Sequence, residues 1–397
     1  MIQTNKIKNN IKFDIVVVGA GPVGIAFACS FADTKLKVAI IDKLPKKIIE
    51  NPKIDGREIA LTHNSVKLLK KLDVWRKLSS KSISVIKEAR VLDGNSEYFL
   101  NFNHQEIQKE CLGYLIPNYI IKKSLYMKLK SLSNITLINK SECSSIDINE
   151  KFASITLTNK KKIKTSLVVA ADSRFSKIRS KMGISAFTRD FNKNMIVCRM
   201  KHEKPHKNIA YEFFRYNQTQ ATLPYIKNQS GIVTTANKDF TSVLMKMSKK
   251  KFNKVMENNF NNFFGKMKLL GKRYSYPMIT TYTKKFVSNR FALIGDAAVG
   301  MHPVTAHGFN LGLRGLEILN NEIKTATKNK NDIGSISILN NYQSKLHRAA
   351  APVYFATNSI VNLYTSNIFP AKLTRQFILR FVNNVKPVKQ SFLNILK

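Results

Sequence analysis

Residues 13–42 constrain this chain more than any other stretch. Phe13 to Val18 is a continuous apolar, β-branched run of strand length. Gly19-Ala20-Gly21-Pro22-Val23-Gly24 follows, Ile25 to Ala32 reads as a helix, and Leu36 to Ile41 reads as a second strand ending at Asp42. Strands that are apolar on both faces are the buried, parallel kind. A Gly-x-Gly-x-x-Gly run between such a strand and a helix has a physical reading: Gly19 permits the tight turn, Gly21 lets backbone amides approach a pyrophosphate, and Gly24 lets helix and strand pack closely. The helix N-terminus then favours the phosphate charge. Asp42, 18 residues past Gly24, stands where a carboxylate accepts from ribose hydroxyls. A carboxylate there also argues against a 2′-phosphate on this dinucleotide. A glycine-rich turn with no ligand would leave Asp42 unexplained.

Past this unit the pattern alternates between strand and helix. Residues 58–80 predict a helix, with Leu61, Val66, Leu69, Leu72 and Trp75 near helical spacing. Ile83 to Leu92 and Tyr98 to Phe102 flank Asp93-Gly94-Asn95, a hairpin signal. A basic amphipathic helix is expected over 119–132, a strand over 152–158 and a short buried strand at Leu167 to Ala170. Residues 194–236 read entirely as strand, 241–269 as helix, Phe291 to Ile294 as a buried strand, and the chain from 311 onward as helix. The expected class is therefore α/β: a Rossmann-like dinucleotide-binding domain (1–82, 103–185 and 275–325), interleaved with a mixed β-sheet substrate domain (83–102 and 186–274). A helical C-terminal segment (326–397) follows.

Composition closes off other classes. With 44% hydrophobic residues the chain is not a disordered tail. No apolar run reaches the roughly 18 residues a spanning helix needs, and the N-terminus MIQTNKIKNNIKFD has no apolar signal region. Cys29, Cys111, Cys143 and Cys198 lie far apart with no C-x-x-C, which excludes a zinc ribbon or a disulfide framework and points to a cytoplasmic chain. The formal charge is +41, but only 14 of the 66 basic residues are arginine and they are spread along the chain. A nucleic-acid protein concentrates basic charge and favours arginine, so no nucleic acid is expected. A Lys/Asn/Ile excess throughout reads instead as composition drift, although it would still favour an anionic membrane face. His302 and His307 have no other ligand-type residue at metal spacing, and no metal is expected.

Three separated segments resemble the FAD-dependent aromatic hydroxylases of the para-hydroxybenzoate hydroxylase type. The first is the glycine fingerprint with Asp42, followed by Asp55-Gly56-Arg57-Glu58-Ile59-Ala60-Leu61. The second is Ala170-Ala171-Asp172-Ser173-Arg174-Phe175-Ser176-Lys177-Ile178-Arg179, similar to the family's G-A-D-G-x-x-S-x-x-R with Ala170 and Ser173 in place of glycines. The third is Gly295-Asp296-Ala297-Ala298, then Met301-His302-Pro303 and Gly308-Phe309-Asn310-Leu311-Gly312. The resemblance implies that Arg57 lies near the flavin phosphates, unless it is only a surface residue at a helix start. It implies that the Asp172 loop approaches the pyrophosphate and the nicotinamide donor. Asp296 would bond the ribityl chain, and Gly295, Pro303, Gly308 and Asn310 would lie against the flavin.

Gly56 to Trp75, Leu112-Gly113-Tyr114 and the His302 to Gly312 block narrow the resemblance to the ubiquinone-biosynthesis hydroxylases. Thr305-Ala306-His307 stands where that group has A-G-Q. This form, with A-A-D-S-R-F-S, resembles the UbiM-like branch that hydroxylates demethoxyubiquinol at ring position 5. The resemblance implies FAD, NAD(P)H as electron donor and O2 as co-substrate. A flavin hydroperoxide would transfer oxygen to a polyprenylated phenol or quinol. It also implies a cytoplasmic enzyme peripheral to the inner membrane surface, with a ubiquinone-biosynthesis complex as partner. No protein nucleophile is expected, because the cofactor carries the hard chemistry. His307 is a candidate for orienting substrate, and Phe213, Phe214 and Pro224 either wall the ring or form ordinary core. Ile360 to Val388 reads as a basic amphipathic helix that lies on a membrane or packs on the FAD domain. The competing readings are another flavoprotein reaction on a lipid-soluble substrate, such as prenyl reduction, and a non-enzymatic basic binding protein. Trp75 being the only tryptophan excludes a W-x-W halogenase motif.

Overall fold

The computed structural model describes residues 11–94, 98–215, 218–302, 307–365, 380–387, 389–390 and 393. Strand β1 (Ile11–Val18) pairs in parallel with β2 (Val38–Ile41) on one side and with Lys162–Ala170 on the other. Ile15, Val16 and Val17 are fully buried, as residues of a strand covered on both faces must be. Helix α1 (Pro22–Cys29) crosses between β1 and β2. The first sheet runs Val287–Ser288, Phe291–Leu293, Lys162–Ala170, β1, β2, Ile135–Ile138, with Ala153–Leu157 and Cys143–Ile148 added in antiparallel fashion. Its core also takes in Leu313, Leu316 and Leu319 of helix His307–Lys328 and Leu339 and Tyr342 of helix Ile336–Thr365.

The second sheet has eight strands in the order Val299–Gly300, Met267–Thr283, Ala186–His202, Gln229–Asn237, Gln218–Pro224, Ile209–Arg215, Glu88–Asp93, Phe99–Asn103. Its pairs are antiparallel except Ile209–Arg215 with Glu88–Asp93. The strands flanking Asp93-Gly94 pair as the turn signal predicts. Residues alternate between faces. Ile196, Cys198 and Met200 pack beneath Phe252, Met256 and Phe260, while Met195 and Val197 lie with Tyr274 and Tyr276 on the other side.

Four expectations change. Residues 58–80 are not one helix: Glu58–Leu61 is a strand paired with Gly113–Pro117, and the helix begins at His63 after a Thr62 cap. The long-range pairing overrides a helical spacing that starts only at residue 63. The helix over 241–269 is two helices, Lys238–Lys246 and Lys249–Asn259, because Ser248 caps the second one, and Met267 already opens a strand. That strand continues unbroken through residue 275 to Thr283, held by Ala186↔Thr283 pairing, so the second sheet extends past 274. Ser84–Ile86 joins Glu58–Leu61 and Gly113–Pro117 in a small third sheet rather than the second.

Phe213 is core, edge-on to Phe260 beneath the helices, and walls nothing toward the first sheet. Phe214 is buried on the other face beside Ile360, Leu363 and Val382. The described ends of the 360–388 segment thus pack on the second sheet. Residues 366–379, which hold Phe369, Lys372, Arg375 and Phe377, lie outside the described residues.

Candidate active site

The glycine loop has the geometry its spacing predicts. Gly19 adopts φ +114°, and a Cβ there would stand 2.5 Å from the Ala171 carbonyl oxygen. A Cβ on Gly24 would stand 2.1 Å from the Gly19 oxygen. At Gly21 the nearest atom to such a Cβ is 3.9 Å away, so this position faces open space. Gly21 caps α1 without a side-chain bond, and the first turn holds no acidic residue. The first amides of α1 therefore meet no side chain of their own helix and present its positive end to that space. Asp42 is fastened to the loop: one oxygen accepts from the Ala20 N–H at 2.7 Å, the other from the Leu44 N–H at 2.8 Å. Asp42→Ala releases both the loop amide and the ribose acceptor. The variant is expected to purify with a minor fraction of the wild-type flavin content, read from absorbance.

The second segment lies directly against this loop, since Ala171 is the group that both Gly19 and Gly24 approach. Ala170 pairs with Val18, and Ser173 is not among the residues of positive φ, so neither loss of glycine distorts the turn. One oxygen of Asp172 receives a long bond from the Ile178 N–H at 3.5 Å, while the other is buried and has no partner. A buried acceptor left open beside a glycine loop suits a ligand hydroxyl.

The third segment closes the site. Gly295 has φ +59°, and Val23 of α1 packs 3.2 Å from its Cβ position. Gly312 approaches the same Val23 at 2.9 Å. Asp296 is held by Arg174, whose Nη2 donates at 2.8 Å and Nε at 3.3 Å, while Nη1 donates to the Ile279 carbonyl at 2.6 Å. Buried Arg179 donates to the Ala297 carbonyl at 2.9 Å and to the Arg174 carbonyl at 3.1 Å. The two arginines thus lock together segments more than a hundred residues apart in the chain. The sequence pattern does not mark Arg174 as a site residue; its place two residues after Asp172 is the one signal that could have flagged it.

Asn310 accepts from the Thr62 N–H at 3.0 Å and the Ser65 hydroxyl at 2.6 Å, and donates to the Ala60 carbonyl at 2.8 Å. It ties the start of helix His307–Lys328 to the corner after Leu61. Gly308, near that helix start, is open, with Met301 Cβ 3.7 Å from its Cβ position. Pro303 and the His307 side chain lie outside the described residues. His302 is buried edge-on to Phe191 at 5.1 Å. Burial, then the charges of Lys193, Arg174 and Arg189, push its imidazole down to about 3, so it is a neutral, positioned ring at physiological pH.

Arg57 turns to its neighbour Asp55, donating from Nη2 at 2.7 Å and Nε at 3.2 Å, and lies 5.2 Å from the Tyr276 ring centroid. Asp55 also accepts from Asn118 at 2.6 Å, and Tyr276 donates to the Asp55 carbonyl at 2.7 Å. Burial alone would raise the Asp55 carboxyl; the Arg57 charge and hydrogen bond, with Asn118 and Lys122, outweigh it and hold the group below the usual range. The 55–57 loop is therefore the joint between the first domain and the aromatic face of the second sheet. Glu58 continues that joint, bonded to Arg199 of the second sheet at 2.6 Å.

The residues fit FAD: an open glycine loop at a helix N-terminus, a ribose-side carboxylate at Asp42, and an Asp172/Asp296 pair with an unfilled acceptor. Asp296→Ala is expected to leave folded protein, because Arg174 keeps its bond to Ile279, but to weaken flavin affinity by about 1–3 kcal/mol. Titration of apoprotein with FAD reads this out.

Comparison with known proteins agrees with that geometry. A family described as "FAD binding domain" matches residues 12–355. Ubiquinone hydroxylase UbiM of Neisseria meningitidis is 39% identical over 381 residues, which cover 95% of this chain and 83% of that protein. Ubiquinone hydroxylase UbiL of Rhodospirillum rubrum is 29% identical over 380 residues, 96% of this chain and 88% of that one. The crystal structure of p-nitrophenol 4-monooxygenase PnpA from Pseudomonas putida shares the fold, with a TM-score of 0.78 at 14% identity over 97% of both chains.

Proposed function

Since the chain belongs to the FAD-dependent ubiquinone-biosynthesis hydroxylase family, we propose that it hydroxylates a polyprenylated phenol or quinol, at ring position 5 of a demethoxyubiquinol. The observation that carries this reading is the convergence of three distant segments, at Gly21, Asp172 and Asp296, beside the aromatic face of the second sheet. When bound, FAD would supply the redox chemistry, with NAD(P)H as the source of electrons and O2 as the source of one ring oxygen, its other oxygen leaving as water. The chain's own residues bind, orient and exclude water. The amides of α1 would hold the pyrophosphate, Asp42 the adenosine ribose, and Asp296, braced by Arg174, the ribityl hydroxyls. Tyr274, Tyr276 and Val233, partly exposed over buried Met195 and Val197, would offer an apolar surface over which a ring lies dry.

The holoenzyme, given NAD(P)H, labelled O2 and a short-chain prenylated phenol, is expected to yield a ring product carrying one labelled oxygen, with its position read from fragmentation. Reduction of the prenyl chain without oxygen incorporation would favour the prenyl-reductase reading instead.

Such a substrate lives in a bilayer, and no helix among the described residues is long and apolar enough to cross one. The enzyme would meet its substrate at the membrane surface, drawn by its +41 charge and by exposed Phe355 and Phe381 near the C-terminal segment. Each basic residue near an anionic surface contributes roughly 1 kcal/mol, screened over about 8 Å at physiological salt. Co-sedimentation with anionic vesicles is expected to fall as salt rises and to be weak with neutral ones. Indifference to lipid charge would favour delivery by a protein partner.

A further inference from the structure

The aromatic face of the second sheet carries a row of side chains that crosses five strands. Glu212 stands opposite Ala221, Ala221 opposite Val233, Val233 opposite Val197, and Val197 opposite Tyr274. Opposed residues of antiparallel pairs share a face, so this is one line of side chains, about 19 Å long at about 4.8 Å per strand. One end touches the joint to the first domain. The Tyr274 ring lies 2.5 Å from the Cβ position of Gly56, next to Arg57. At the other end, the outer neighbour of Glu212 is Val91, which clusters with Ile360 and Leu363 of the C-terminal helix. Val197 is covered at the loop end, and the partly exposed Ala221 and Val233 continue the row as an apolar floor that a single carboxyl ends.

That carboxyl has neither a hydrogen bond nor an ion pair among the described residues. It keeps partial access to solvent, yet protein surrounds it closely enough for burial alone to push it up to about 8. Its two cross-strand neighbours, Ala221 on the inner side and Val91 on the outer, bring no charge to it; Arg90 and Glu88 of the outer strand pair with each other. An unpaired enclosed carboxyl costs stability, and acidic side chains are rarely buried without a partner. Its expected partner is therefore the ligand.

We propose that Glu212 recognises the oxygen substituents of the substrate ring, which lies on the Ala221–Val233 floor. The proposal rests on the phenol or quinol reading above and names the residue that selects the ring. A protonated carboxyl both donates and accepts, so it can take a bond from a ring hydroxyl and give one to a methoxy oxygen. An apolar floor distinguishes rings of different oxygenation poorly, whereas a site built to hydrogen-bond a hydroxyl rejects the ring that lacks it.

The test uses the full-length, FAD-loaded protein and two probes: a short-chain prenylated methoxyphenol and its O-methylated counterpart, with dissociation constants read from the flavin spectrum. Wild type is expected to prefer the phenol by at least about tenfold. Glu212→Ala should lose the preference while binding the methylated ring as before, and Glu212→Gln, which still donates and accepts, should restore most of it. Flavin content verifies that both variants fold. An undiminished preference in Glu212→Ala, or equal loss for both probes, would overturn the role of Glu212 and leave the substrate reading standing. Failure of wild type to bind either probe would overturn both.

Discussion

Gly24→Ala is expected to purify colourless, with less than a tenth of the wild-type flavin, and at lower yield. The added methyl would stand 2.1 Å from the Gly19 carbonyl oxygen and 3.3 Å from the Ala171 side chain. The first of these is backbone and cannot rotate away. Either α1 lifts from β1 or the Gly19 turn moves, and overpacking of this kind costs about 1–3 kcal/mol. The greater loss is functional, because the displaced elements are those that aim the α1 amides. Gly21→Ala separates the two effects. Its methyl meets nothing closer than 3.9 Å, so the protein should keep its melting temperature without ligand while losing flavin affinity, since that methyl occupies the space the phosphates need. Melting curves of apoprotein beside FAD titrations distinguish the pair. A Gly24→Ala protein with full flavin content would show that the strand–helix contact does not govern the cradle.

These glycines were legible because everything they do is local. Strand, turn, helix and strand follow within thirty residues, and Asp42 sits where the second strand ends, bonded to Ala20 as the unit requires. The second sheet was legible as strand but not as a surface. Alternation shows that Glu212 and Phe213 point opposite ways. Only the register with Gln218–Pro224 and Gln229–Asn237 shows which face meets the helices and which meets the 55–57 loop. The strand Glu58–Leu61 was hidden for a related reason: its partner lies some fifty residues on, and the helix behind Thr62 lent it a false period. Arg174 was invisible as a site residue since its partner Asp296 is 122 positions away. Sequence pattern reports groups that act on near neighbours. Distant pairs, and carboxyls with no pair at all, become visible only in three dimensions.

Glu212 makes that last point measurable through stability alone, whatever the ligand. In the folded chain its carboxyl is pushed up to about 8 from an ordinary 4.5. Between those values the native state holds a proton that the unfolded chain has released, so unfolding releases a proton and stability falls as pH rises across that window. Below about pH 4.5 both states are protonated and the penalty is absent; above about pH 8 both are ionised and it is complete. Glu212→Gln removes the titrating group while keeping its shape. The variant should come close to wild type near pH 5 and become progressively more stable than wild type up to pH 8, by up to about 5 kcal/mol for a shift of that size. The gain should then level off. Thermal melts of the two FAD-loaded proteins in one buffer series from pH 5 to 9 give the comparison, with other titrating groups cancelling in the difference. A gap that does not change with pH would mean that water solvates the carboxyl freely, and that Glu212 at the end of the Ala221–Val233 floor is open rather than enclosed.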